Sequence, residues 1–215
     1  MRNQLCMLLA KHAGETITKE LAVAMVRELF PDRSYSPDLF APQEYKGYVF
    51  QLERLADIRD ELHPLHEAHY AETELYRAGI PLDMNYELLE ERAHAGGLLQ
   101  FTSRTLDGVL AGQMRVHLSK SVHTQTLIAT EDVFYVKPEH RGGFMAVRLW
   151  QYADRFGEQI GVTETYFDSK LVNKADQLAK YLKYTPIATK FAKVNTPKPP
   201  AQECKESQED CHVCT

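Results

Sequence analysis

TEDVFYVKPEHRGGFMAVRLW, residues Thr130 to Trp150, decides the reading of this chain. Leu127 to Val136 is rich in apolar and β-branched residues and predicts a strand. Lys137-Pro138 ends it, and a turn holding Arg141, Gly142 and Gly143 leads directly into a helix. Met145, Leu149, Tyr152, Ala153 and Phe156 recur at helical spacing, with Gly157 and Gly161 expected to close the helix. The first amides of a helix have no partner within it, and the peptide dipoles add partial positive charge there. A glycine turn opening such a helix is suited to gripping phosphate, and a guanidinium at Arg141 adds a paired, charge-assisted contact.

Val162 to Asp168 predicts a second strand. Strand, helix and strand of this length make a βαβ unit with parallel strands and a right-handed crossover. Ligands of such units bind at the carboxyl ends of the strands, where Arg141 to Phe144 lies. Upstream, Tyr48 to Glu53 predicts a first strand, while Leu98 to Thr105 and Val109 to Leu118 flank the hairpin turn Leu106-Asp107-Gly108.

The turn resembles the cofactor motif of the GNAT superfamily of N-acetyltransferases, Arg/Gln-x-x-Gly-x-Gly/Ala, with Arg141 first and Ala146 last. The fourth position is Phe144, where glycine is usual. Asn173 to Tyr184 is similar to the family's late segment, a helix running into a final strand, with Ala175, Leu178, Leu182 and Tyr184 in register. The order of elements also fits: one strand, two helices, an antiparallel hairpin, then the βαβ unit. The resemblance spans about Tyr48 to Val194 and is nearest to small acetyltransferase-like proteins of bacteriophages. It implies an α/β fold with a mixed, largely antiparallel sheet and a central βαβ unit. It also implies transfer of an acetyl group from acetyl-CoA to an amine, the alternative being a GNAT-fold protein that binds CoA or a host partner without catalysis.

By that resemblance, Arg141 and the amides of Gly142, Gly143, Phe144, Met145 and Ala146 hold the diphosphate of acetyl-CoA. The backbone of Phe134, Tyr135 and Val136 pairs with the pantetheine arm, which requires this strand to splay from its parallel neighbour. Asn173 bonds the pantetheine or caps a helix. The strand before the phosphate loop often bears the general base, and here it offers Glu131 and Asp132. Simple alternation puts Asp132 on one face with Phe134 and Val136, and Glu131 on the other with Val133 and Tyr135. The tyrosine that commonly protonates the departing thiolate is replaced by Ala179, which leaves Tyr181 as the candidate acid.

His63, His66, His69 and Glu72 recur every third residue and fan over half of a helix. Their spacing is not that of HExxH, so substrate positioning by His69 or Glu72, with His123, is preferred over metal binding. Cys204, Cys211, His212 and Cys214 lack a second properly spaced pair and apolar framing, so no zinc site is expected.

The chain has 215 residues, 44% of them hydrophobic, enough for one domain of residues 43–194 with an N-terminal extension and a mobile tail from residue 195. In residues 1–42 two helical patterns, Asn3 to His12 and Ile17 to Phe30, form a hairpin that packs on the domain or makes a homodimer contact. Ile17, Leu21, Ala24, Met25 and Leu29 are its expected apolar face. No apolar run is long enough for a membrane span, and the cysteines form no disulfide framework, which points to the cytoplasm. Net charge is −5, yet Lys170 to Lys198 carries seven lysines and one acid. That is a rim for CoA phosphates or a polyanion. Without aromatics interleaved on an arginine stripe, nucleic acid is not the expected partner.

Overall fold

The computed structural model describes residues 2–77, 79–170 and 175–194. Six strands form one sheet in sequence order: β1 (Gln43–Tyr45), β2 (Tyr48–Glu53), β3 (Leu98–Thr105), β4 (Leu110–Lys120), β5 (Leu127–Val136) and β6 (Val162–Tyr166). Every neighbouring pair is antiparallel except β5 and β6, which are parallel. Helices α3 (Leu55–Thr73) and α4 (Tyr86–His94) cover one face, and α5 (Met145–Gln159) covers the other. This is the expected mixed α/β architecture.

Each helical face follows its sequence pattern. Met145, Leu149, Trp150, Tyr152, Ala153 and Phe156 of α5 are buried against Phe50, Phe101, Met114 and Val116 of the sheet. Burying a Leu or Phe side chain fully is worth about 1.5–3 kcal/mol, so this face holds α5 in place. Leu55, Ile58, Leu62 and Leu65 of α3 pack on Leu98, Leu110 and Tyr135 across the sheet. Arg104 of β3 pins α3 further, bonding Glu53 at 2.7 Å and Glu61 at 2.8 Å.

Three local expectations are corrected. Helix α5 does not close at Gly157. That glycine is buried inside the helix, where a Cβ would make ordinary contact with Val162 at 3.5 Å. Strand β6 stops at Tyr166 rather than Asp168. No strand follows helix α6 (Ala175–Tyr181) among the described residues. There Pro186 lacks an N–H for a ladder, and Ile187 and Phe191 stay 72% and 90% exposed.

The N-terminal helices α1 (Arg2–Lys11) and α2 (Lys19–Leu29) form as a pair. Thr18 caps α2, its hydroxyl accepting from the Leu21 amide. Leu8 and Met25 are buried and Leu21 and Leu29 partly so, whereas Ile17 precedes the helix and, like Ala24, is exposed. The Arg33 amide bonds the carbonyl of His94, tying the linker to α4. No described helix is long and apolar enough to cross a membrane.

Candidate active site

Strands β5 and β6 run side by side only as far as Thr130 and Tyr166. Beyond that point β5 continues six more residues to Val136 without its parallel neighbour. The interval beyond these last paired residues, where β5 and β6 are no longer joined, is the β5–β6 wedge. One side is the edge of β5 from Glu131 to Val136, including Phe134, Tyr135 and Val136, which has no strand paired to it among the described residues. Phe134 turns to the α5 side, its ring 5.2 Å from Trp150, and Tyr135 turns to the α3 side, 5.7 Å from His69.

At the wide end of the wedge lies the glycine turn. Gly142 and Gly143 have φ of +127° and +73°, which only glycine adopts without strain, and a Cβ at either would meet open space. Phe144 is the N-cap of α5 with no side-chain cap bond. Among the described residues the amides of Gly142, Gly143, Phe144, Met145 and Ala146 have no hydrogen-bond partner. Phe144 keeps φ at −105°, so its amide remains available despite the side chain, and its ring is turned outward and 47% exposed.

Arg141 stands beside this turn, held from three directions. Its Nε donates to the Val136 carbonyl at 2.8 Å. Its two terminal nitrogens bond both carboxylate oxygens of Glu72, at 3.0 and 2.6 Å. The guanidinium also lies 5.1 Å from the Tyr135 ring centroid. Glu72 is therefore the ion-pair partner of Arg141, a link across 69 residues that no local pattern announces.

At the narrow end stand the two carboxylates. Strand β5 bulges there: Val133 is opposite Arg115 and Glu131 opposite Val116, leaving Asp132 without a partner residue. The bulge breaks the alternation expected from sequence. Asp132 points to the α3 side, where Arg115 Nε donates to it at 2.7 Å, instead of sharing a face with Phe134. Glu131 is opposite Val116 of the α5-side core instead of sharing a face with Tyr135.

Their chemistry diverges accordingly. Burial alone would raise the Asp132 carboxyl, but His117 at 3.5 Å and the Arg115 charge outweigh it and hold the group below the usual carboxylate range. Glu131 is buried, and among the described residues its one hydrogen-bond partner is the Asp168 amide at 3.4 Å. Burial, with the nearby Asp132 and Asp168 charges, pushes its carboxyl up to about 8 against weaker opposition from that amide and Lys170. An unfolded glutamate releases its proton near 4.5, so folded Glu131 loses stability as pH rises through that window to about 8. Glu131→Gln should therefore lose less melting temperature than wild type between about pH 5 and about pH 9. Equal losses in thermal scans would contradict this environment.

Under α3 the network continues inward. Arg115 can only donate, so His66 Nε2, 3.3 Å away, accepts, and the neutral ring carries its proton on Nδ1. That Nδ1 donates to Tyr86 Oη at 2.8 Å, and Tyr86 in turn donates to His63 Nδ1 at 3.4 Å. Burial first, then the Arg115 charge, push His66 down to about 3, which keeps it neutral. Gln113 is fully buried beside His66, and among the described residues neither of its amide atoms makes a well-formed hydrogen bond, His66 being its nearest polar neighbour. A buried amide left so costs about 1–3 kcal/mol, which water or a polar ligand group relieves.

The remaining residues fall as follows. His69 is half-buried, its Nε2 3.2 Å from Thr73 Oγ1, and burial lowers its basicity. His123 is exposed in the 121–126 turn, away from the His66 network. Tyr181 sets its ring against Phe144 beside the glycine turn. Tyr184 is structural: Trp150 Nε1 donates to its hydroxyl, which donates to Asp154, both at 2.8 Å. Asn173 and the cysteine-containing tail lie outside the described residues. Among the described residues no group of three or more His, Cys, Asp or Glu is placed to hold a metal ion. Sequence reasoning missed Arg115 and Gln113, whose burial depends on the whole sheet.

No family model matches the sequence, and no curated protein matches it. Solved structures do match the fold. One is a ribosomal-protein-alanine N-acetyltransferase from Brucella melitensis biovar Abortus, 16% identical with a TM-score of 0.57, covering 71% of this chain and 100% of that one. Another is an aminoglycoside acetyltransferase from an uncultured soil metagenomic sample in complex with sisomicin. It is 14% identical with a TM-score of 0.56, covering 71% of this chain and 97% of that one. The chain has the GNAT acetyltransferase fold.

Proposed function

We propose that this protein is an N-acetyltransferase that moves an acetyl group from acetyl-CoA to an amine within a ternary complex. The observation that carries this reading is the wedge between β5 and β6, with free helix-opening amides at its wide end and a buried carboxyl of raised pKa at its narrow end. The diphosphate of acetyl-CoA fits the amides of Gly142 to Ala146 with Arg141, since the φ-positive glycines present a cradle that a Cβ would otherwise occupy. The pantetheine amides then pair with the free edge of β5 at Phe134, Tyr135 and Val136 as an added strand. This brings the thioester to the bulge at Asp132 and Glu131.

In the proposed reaction an acceptor enters on the α3 side past His69, and its amine reaches Glu131, on the opposite face of the sheet, through the interval where β5 and β6 are no longer paired. Its ammonium yields a proton to ionised Glu131, directly or through one water. The amine attacks the thioester carbonyl, peptide N–H groups freed from the ladder by the bulge steady the oxyanion, and the C–S bond breaks to release CoA thiolate. Asp132, locked to Arg115, serves to hold the bulge and takes no proton. Holding both reactants in line supplies much of the acceleration.

Glu72 enters as a modulator of the donor site. Its carboxylate neutralises Arg141 and stands close to the proposed diphosphate. Glu72→Gln should tighten acetyl-CoA by about three- to tenfold, an electrostatic gain of about 1 kcal/mol, while Val136 still orients the guanidinium. Weaker binding in calorimetry would show that Glu72 positions Arg141 more than it competes for it.

A second reading is a protein that binds CoA without turnover, favoured by Ala179 at the family's tyrosine position and Phe144 in the loop. Incubation of the purified chain with acetyl-CoA and a panel of amines, followed by mass spectrometry, separates the two. Acetylated amine with free CoA supports the enzyme. Coenzyme binding without product supports the second reading, and neither binding nor product defeats both.

A further inference from the structure

Phe144 replaces the glycine that the motif would place there, and the structure suggests what it does. Its ring is 47% exposed and lies 6.3 Å from the ring of Tyr181, itself 59% exposed. Two large aromatic rings thus stand in water beside the free amides of α5. On α5 the positions 144, 148, 151 and 155 share one face. One turn beyond Phe144, that face opens into a groove of about 460 Å³ lined by Arg148, Gln151, Arg155, Tyr181 and Lys183. Arg148 is preorganised, its guanidinium 4.4 Å from the Tyr45 ring centroid, and it has no carboxylate partner among the described residues. Asp154 and Glu158 also line the groove, but Asp154 is engaged by Tyr184, and Glu158 is about 21 Å of helix from Phe144.

We infer that Phe144 and Tyr181 form a stacking platform for the adenine of acetyl-CoA, with Arg148 receiving the 3′-phosphate of its ribose. The inference rests on the acetyl-CoA reading above and deepens it: these side chains make the site select a nucleotide-bearing donor over a bare phosphopantetheine thioester. An aromatic ring offers its face to any base, and stacking is worth about 1–3 kcal/mol per base on truncation. The exposed pair is otherwise a cost in water, and the cation on the next turn complements a phosphate that phosphopantetheine lacks. Tyr181 thereby serves donor binding through its ring, which separates it from a role as general acid.

Calorimetry with acetyl-CoA, its 3′-dephospho form and acetyl-4′-phosphopantetheine tests this on the full chain. Phe144→Ala and Tyr181→Ala should each weaken acetyl-CoA about tenfold, and acetyl-4′-phosphopantetheine less than about twofold. Tyr181→Phe keeps the ring and should restore acetyl-CoA affinity. Arg148→Gln should erase the preference for acetyl-CoA over its 3′-dephospho form. Equal losses for both thioesters, no loss from either ring truncation, or failure of Tyr181→Phe to rescue would overturn the platform while leaving the donor reading intact. If the wild-type chain binds none of the three, the donor reading itself falls and takes this inference with it.

Discussion

Glu131→Gln is expected to lower kcat for amine acetylation by about 100- to 10,000-fold, the range spanned by a positioned general base, while acetyl-CoA binds as before. The expectation follows from two carboxylates one residue apart in very different surroundings. Asp132 accepts from the buried Arg115 and stays ionised, already committed to a cation. Among the described residues Glu131 has only a long bond from the Asp168 amide, and its carboxyl is pushed up to about 8. A base works best when its own pKa is near the working pH, so Glu131 suits the task and Asp132 does not. The sign of the pH dependence follows. Below about 8 the Glu131 carboxyl is protonated and cannot accept, so kcat/KM should rise as pH increases through about 8 and then level. In Glu131→Gln that limb should vanish. A variant that keeps both its rate and its pH profile would remove Glu131 from the chemistry.

Arg141→Ala is expected to weaken acetyl-CoA by about 10- to 100-fold, because a charge-assisted contact to a phosphate is worth about 1.5–3 kcal/mol. The loss should appear in Kd and KM far more than in kcat, since the proposed diphosphate site is at the far end of the wedge from the proposed thioester site. The truncation also frees Glu72, whose carboxylate would then face the diphosphate unpaired. The double variant Arg141→Ala with Glu72→Gln should therefore recover part of the loss. Full-strength binding by Arg141→Ala in calorimetry would mean that the diphosphate lies elsewhere.

The glycine turn and its flanking elements were legible because local chemistry dictates them. Strand β5 spans Leu127–Val136 as its β-branched pattern implies, and two adjacent glycines mark a turn with positive φ. The hairpin about Gly108 and the stripe of α5 follow for the same reason. What escaped the sequence depends on partners far along the chain. The faces of Glu131 and Asp132 were misassigned because the bulge is a property of β4 and β5 together. Gly157 reads as a helix stop, yet α5 runs through it to Gln159. The Arg141–Glu72 pair, the buried Arg115 and the buried Gln113 become visible only once α3 lies on the sheet.

A crystal structure of the chain with CoA tests the central claim most directly. The account predicts diphosphate oxygens within hydrogen-bonding distance of the amides of Gly142 to Ala146, the pantetheine arm along the free edge of β5, and the sulfur near Glu131. Coenzyme bound outside the β5–β6 wedge, or a wedge left empty at saturating coenzyme, would contradict it.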